Sequence, residues 1–288
     1  MKRRKIIRFF RRLALAVFVI CLFLIAGTHV RSLRHRAQQD NLKAMTETKQ
    51  AGVSAENNGV PDKRKDSAKQ TENAGDQEET HYSVSASAIP KEDMAEPVML
   101  DKYTELYEEN NDLVGWLSIA DMKIDYPVMK HEDDEYYLHR DFHGKESKYG
   151  CLYVRDKADL NDGTNFVIYG HNMKDGSMFG DLDLYLDESF YREHAVLSFD
   201  TLYDERVYEI VAVFRSQVYE EEDDAFKYYR FYQADTPEEF EDFYENIKAL
   251  SLYDTGVEAQ FGDTFLTLST CAYHVKDGRL VVVAKRVE

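Results

Sequence analysis

The sequence predicts a mainly β domain carried behind a basic, apolar head. Three observations point there. Seven or eight short strand-like runs are separated by polar turns. One clear amphipathic helix interrupts them. The regular strand–helix alternation of a parallel α/β sheet is missing. The pattern fits a barrel or a sandwich.

The chain has 288 residues and a net charge of −18. Residues 1–36 carry ten Lys/Arg and no Asp/Glu, whereas residues 91–288 carry 20 Lys/Arg against 45 Asp/Glu, a net of −25. Such an acidic body argues against nucleic-acid binding, which needs cations to displace phosphate counterions. It suits a domain that attracts cationic partners.

Residues 1–12 hold seven Lys/Arg and precede an uncharged apolar run over 13–30, LALAVFVICLFLIAGTHV. That length is near the lower limit for spanning a bilayer. The basic flank puts the N-terminus in the cytoplasm and the rest outside. A cleaved signal peptide shares these features, but the run is long for one and no A-x-A site follows. The expectation is an uncleaved transmembrane anchor. Residues 31–95 are rich in Gln, Asn, Ala, Ser, Lys and Glu and read as a disordered linker, because they cannot bury enough apolar surface to offset ordering. The folded domain is expected over 96–288.

Within that domain, Met99, Tyr103, Leu106 and Tyr107 recur at helical spacing. A strand containing Trp116 follows, then the runs IDYPVMK, GCLYVRD, NFVIYGHN, AVLSFD, RVYEIVAVFRSQV, DTFLTLSTC and RLVVVAKRV. Pro127 belongs at an edge or strand end because it cannot donate to a ladder. A short helix is expected at SMFGDLDLY. The long one lies in DTPEEFEDFYENIKAL: Thr236 and Glu239 form a capping box, and Pro237 suits the first turn. Phe240, Phe243, Tyr244, Ile247 and Leu250 make its apolar stripe.

Three residues carry candidate chemistry. In DTFLTLSTC, alternation puts Phe265, Thr267, Ser269 and Cys271 on one face and Leu266, Leu268 and Thr270 on the other. His171 ends the NFVIYGH run and enters a Gly-containing turn. Arg279 opens the strand after VKDG, so a hairpin can return it beside Cys271. Singly, each has an ordinary reading: a buried thiol, a surface histidine, a surface arginine. Together they supply a nucleophile, a proton carrier and an oxyanion partner. Of the other cysteines, Cys21 lies in the apolar run. A bridge between Cys151 and Cys271 is not expected, since about 190 residues bury a core unaided.

Rival chemistries fail on spacing. A cysteine phosphatase needs Cys-x5-Arg, and Cys271 and Arg279 are separated by seven residues. His139 and His143 lack the further close ligands that zinc needs. The acidic run 219–226 lacks the EF-hand pattern.

The exported anchor, TLSTC at a strand end, an upstream histidine and a downstream arginine together resemble the sortases, cysteine transpeptidases of Gram-positive cell surfaces. The likeness covers about residues 97–288 and is nearest to class B, on DLVGWLSIADMKIDYPVM, YYLHRDFHGKESKYGCLYVRD, NFVIYGHNMKDGSMFGDL and the helix before the cysteine strand. The resemblance implies a closed barrel of about eight strands, with an N-terminal helix and one helix before the cysteine strand. It makes Cys271 the nucleophile that attacks a threonyl carbonyl in a signal similar to LPxTG or NPxTN. It makes His171 the acid and base and Arg279 the oxyanion and substrate partner. Ser269 and Thr270 would line the substrate groove, and Ala272 stands where some class B members carry an acidic residue. No cofactor or metal is implied. The implied partners are surface proteins with a C-terminal sorting signal, a peptidoglycan amine and the membrane. The open alternatives are a hydrolase using water, an enzyme using a pilin lysine, and a non-catalytic tethered module.

Overall fold

Strand runs that are apolar at every second position bury one face by closing on themselves, which also removes exposed sheet edges. The structure, a computed structural model, describes residues 2–56 and 97–287; the side chains of 2–16, 24, 25, 28 and 48–56 are outside the described set. In chain order the elements are α1 (Lys2–Glu56), α2 (Asp101–Glu109), β1 (Leu113–Ser118), β2 (Asp125–Lys130), β3 (Leu152–Val154), β4 (Asn165–Gly170), α3 (Glu188–Glu193), β5 (Val196–Thr201), β6 (Val207–Gln217), α4 (Pro237–Leu250), β7 (Phe265–Cys271) and β8 (Gly278–Arg286). The expected short helix at SMFGDLDLY is a 3-10 helix over Gly180–Leu186.

The strands close a barrel in the order β1-β2-β3-β4-β7-β8-β6-β5, with β5 returning to β1. The β2–β3 and β4–β7 pairs are parallel and the others antiparallel. Pro127 pairs across β1 with Trp116, but β3 joins β2 only from Val128 onward. The proline therefore sits where β2 still has a free side, as its missing N–H requires.

Alternation sorts the core into layers. Phe166, Ile168, Leu266, Leu268, Leu280 and Val282 fill the barrel interior. Their outward neighbours Val167, Phe265, Val281 and Val283 pack under α4, against Phe240, Phe243 and Ile247. The cap of α4 forms as its sequence specifies, with Thr236 Oγ1 accepting the Glu239 N–H at 3.3 Å. The reciprocal bond is displaced by one residue: Glu239 Oε2 accepts from Asp235 N at 2.8 Å. Leu250, expected in the buried stripe, is 43% exposed, because the helix ends there and the chain turns away at Ser251.

The N-terminal region departs from expectation. The segment read as linker from residue 31 is helical as far as Glu56, continuing α1; residues 57–95 of that linker lie outside the described residues. The helix docks on the domain. Leu42 is fully buried in a cluster with Tyr103 and Leu106, and Lys43 pairs with Asp125 at 2.5 Å. His35 stacks on Tyr149 with ring centroids 4.0 Å apart. Among the described residues of α1 the buried positions are His35, Gln39 and Leu42. Two of the three are polar, so the helical spacing does not register as an apolar stripe. Among the described residues no helix is long and apolar enough to cross a membrane, and the run over 13–30 includes residues 13–16, 24, 25 and 28, whose side chains are outside that set.

Two tests follow from the docking of α1. Leu42→Ala removes its central apolar contact, a class of change that costs about 2–5 kcal/mol; hydrogen exchange should show protection lost over residues 31–47 while the barrel strands keep theirs. The second is pH dependence. Burial pushes His35 from 6.5 down to about 4, against the opposing pull of Asp175 and Asp141. The undocked helix binds the proton more readily, so docking is strongest above about pH 6.5 and weakens as pH falls toward about 4. Exchange over residues 31–47 should speed up across that window, and His35→Phe should flatten the profile.

Candidate active site

Cys271 and Arg279 lie on adjacent strands and His171 directly follows a third, β4, and the register decides where each emerges. Parallel pairing of β4 with β7 sets Gly170 beside Thr270. One residue later, His171 just past β4 and Cys271 at the end of β7 therefore come at the same level, with the strands about 4.8 Å apart. Antiparallel pairing of β7 with β8 sets Cys271 opposite Arg279. The barrel thus brings histidine, cysteine and arginine to one rim, across positions separated by 100 and by eight residues in sequence.

Local geometry explains the strand ends. Gly170 has no room for a side chain: a Cβ there would lie 2.5 Å from Leu152 and 2.8 Å from the Phe179 ring. The hairpin between β7 and β8 turns through Asp277, whose φ is +53°, and Gly278, where a Cβ would lie 2.3 Å from the Ala272 carbonyl oxygen. The Ala272 N–H closes that hairpin onto Gly278 O at 2.9 Å.

His171 is half-buried, and its Nε2 lies 2.8 Å from the carbonyl oxygen of Leu138, at the end of the 3-10 turn Tyr136–Leu138. A carbonyl only accepts, so Nε2 carries the proton and Nδ1 of the neutral ring keeps its lone pair. The ring of His139 is 6.2 Å away. Cys271 is half-buried and free, while Cys151 is a free, buried thiol whose pKa burial pushes up. The guanidinium of Arg279 folds onto its own hairpin, with Nη1 donating to Gly278 O at 3.0 Å and Asp277 O at 3.2 Å. These bonds engage one of the two terminal nitrogens, and a guanidinium has five donors.

Ser269 and Thr270, expected to line the groove, are 1% and 2% exposed. The hydroxyls of Ser269 and Tyr228 share a hydrogen bond of 2.7 Å. Thr270 Oγ1 donates to Gly170 O at 2.7 Å, across the two strand ends that carry Cys271 and His171. Both residues therefore act as internal supports, since closing the barrel and covering it near Tyr228 leaves their side chains no solvent face. Beside Ser269, β3 and β4 carry a largely buried aromatic pair, with Tyr153 only 8% exposed. Tyr153 and Tyr169 stack with centroids 5.6 Å apart, the Arg155 guanidinium lies 4.9 Å from the Tyr169 ring, and Tyr169 pairs with Ser269.

One residue escapes sequence reasoning altogether. Asn172 Nδ2 donates to Cys271 O at 3.0 Å and to the carboxylate oxygens of Asp183 at 3.1 and 3.2 Å. It ties the turn after His171 to the end of the cysteine strand. Only its position next to His171 hints at the role, because the partner is 99 residues away in sequence. Among the described residues no group of three or more His, Cys, Asp and Glu could hold a metal ion.

Known proteins resemble the chain in sequence and fold. The chain is 36% identical over 195 residues to sortase B of Listeria monocytogenes, covering 65% of this chain and 74% of that protein. It is 28% identical over 190 residues to sortase B of Staphylococcus aureus, covering 65% and 75%. A solved structure of sortase B from B. anthracis superposes with a TM-score of 0.59 at 34% identity, over 66% of this chain and 86% of that one. The family model of the sortase domain matches residues 117–287, which take in the end of β1, all of β2 through β8 and all three rim residues, and the chain therefore belongs to the sortase family of cysteine transpeptidases, as a class B-like member.

Proposed function

We propose that this chain cleaves a C-terminal sorting signal similar to LPxTG or NPxTN after its threonine, and joins the threonyl carbonyl to a peptidoglycan amine. The observation that carries the reading is the register that sets Cys271 between His171 and Arg279 on adjacent strands. The thiolate of Cys271 adds to the threonyl carbonyl, and the oxyanion that forms is neutralised by the unused N–H groups of Arg279. The tetrahedral adduct collapses as the C–N bond breaks, and the departing amine takes a proton from the His171 imidazolium. The thioacyl enzyme is then attacked by an acceptor amine, which gives its proton to Nδ1 of His171. Expulsion of the thiolate completes the new amide.

The same reading gives the chain a single-pass membrane anchor over residues 13–30, with the N-terminus cytoplasmic and the catalytic domain outside. Its support is the uncharged apolar run behind seven basic residues. Secreted proteins and the cell-wall amine would then meet at the membrane's outer face.

Fluorogenic peptides carrying candidate signals test the chemistry directly. Cys271→Ala should abolish cleavage while leaving the thermal unfolding of the barrel in place; retained cleavage refutes the mechanism. Arg279→Lys should lose about 10²–10³-fold in kcat, the usual loss on removing one oxyanion donor, because a point charge does not replace a planar fork. Asn172→Ala should lower kcat by about tenfold or more with little change in KM, since the residue orients the rim and touches no substrate. An added glycine peptide should convert hydrolysed product into ligated product; hydrolysis unaffected by any amine would sink the transpeptidase assignment for this substrate.

A further inference from the structure

The seam between α1 and the catalytic domain is not filled by protein. A cavity of about 690 Å³ separates the helix from the segment 141–149. Arg31, Arg34, Lys145 and Lys148 line it, together with His35 and Gln38. Among the described residues none of these four cations forms an ion pair with a carboxylate. Two acidic residues, Asp141 and Glu146, also line the cavity. The Asp141 Oδ1 is engaged by its own turn, accepting the backbone N–H groups of His143 and Lys145 at 3.1 and 2.9 Å. A net positive cavity is out of character for a domain whose net charge is −25.

Two buried polar atoms at the cavity lack partners. His35 is only 6% exposed and its Nε2 has no hydrogen bond; the same holds for the buried Nε2 of Gln38. The imidazole cannot swing away to find one, because it lies flat on Tyr149, with an interplanar angle of 2°. Lys148 Nζ is held 4.7 Å from the centre of the same tyrosine ring. Orphaned buried donors are costly unless a ligand uses them. Guanidinium forks, ammonium groups, an amide N–H and an imidazole N–H together match an acceptor-only anion with several oxygens, which is the chemistry of a phosphate.

Position along the helix says where that phosphate comes from. Arg31 directly follows the apolar run, and Gln38 is seven residues further on. At about 1.5 Å of rise per residue the lining residues on α1 occupy roughly the first 12 Å beyond the run. The headgroup layer on each side of the hydrocarbon core is about 5–7 Å thick. We propose that the cavity between α1 and the 141–149 segment binds the phosphate of an anionic phospholipid headgroup, gripped by Arg31, Arg34, Lys145 and Lys148 with His35 and Gln38 beneath. The lipid source rests on the anchor reading of residues 13–30. The site adjoins the catalytic rim: Ser32, one residue from Arg31, donates from Oγ to Asp175 Oδ2 at 3.1 Å in the turn that follows His171.

The test uses the full chain reconstituted into nanodiscs of phosphatidylcholine, with or without phosphatidylglycerol, and counts retained lipid by native mass spectrometry. Wild type should retain phosphatidylglycerol in preference to phosphatidylcholine. Arg34→Gln and Lys148→Gln should each weaken that preference about fivefold, the effect of one cation at an anionic surface, and the pair about 25-fold. Arg192→Gln, on α3 and paired with Glu188, should change nothing. Equal retention by wild type and the double variant overturns the proposal. Inorganic phosphate forms a second arm with the detergent-solubilised chain: if it stabilises wild type but not the double variant, while lipid is not retained, the lipid source is overturned. A chain that fails to enter the bilayer refutes the anchor. Peptide cleavage by the same variants reports on the transpeptidase reading independently, since none of these residues belongs to the catalytic rim.

Discussion

The candidate active site depends on one strand pairing, the parallel contact of β4 with β7. Parallel neighbours cannot be joined by a tight turn, and here about 95 residues of chain, including β5, β6 and α4, intervene between them. What the long excursion achieves is that two strands end at the same level, pointing the same way. The hydrogen bond from Thr270 to the Gly170 carbonyl pins that level at the last pair before His171 and Cys271. A slip of one residue would turn either side chain to the opposite face. The large apolar residues Leu266 and Leu268, buried among Ile168, Leu280 and Val282, make such a slip costly.

Arg279 arrives by a different route. A hairpin returns β8 beside β7, so its placement is local and needs only a turn that allows a positive φ at Asp277. Its guanidinium already rests on hairpin carbonyls, which restricts its rotamers and reduces what must be ordered when a substrate oxygen arrives. Asn172 completes the frame by linking the histidine turn to the cysteine strand and to Asp183. The rim is therefore braced from three directions by backbone register, a hydroxyl bond and an amide bond.

Helix α1 adds a constraint outside the barrel. By burying Leu42 and stacking His35 on Tyr149 it attaches the N-terminal region to the domain on the side that bears the turn after His171. A segment joined in this way has its orientation set as well as its proximity, because a docked helix transmits rotation that a flexible tether would not.

The position of every barrel strand along the chain and the capped helix α4 were legible in the sequence, as were the strand ends from which His171, Cys271 and Arg279 emerge. Each is written in short-range signals: alternation, a capping pair, Pro237 at the first turn, Asp-Gly before Arg279. The docking of α1 was not, because its contact face uses His35 and Gln39, which score as polar linker residues. The burial of Ser269 and Thr270 was not either, since exposure of an alternating face depends on what covers it, here Tyr228 on one side and the closed barrel on the other. Nor could the sequence find Asn172, whose partner is distant in the chain. Local periodicity determined the elements and aimed Cys271 outward; long-range pairing alone decided that His171 stands next to it, because parallel register is fixed by the packing of both faces and not by any pattern within either strand.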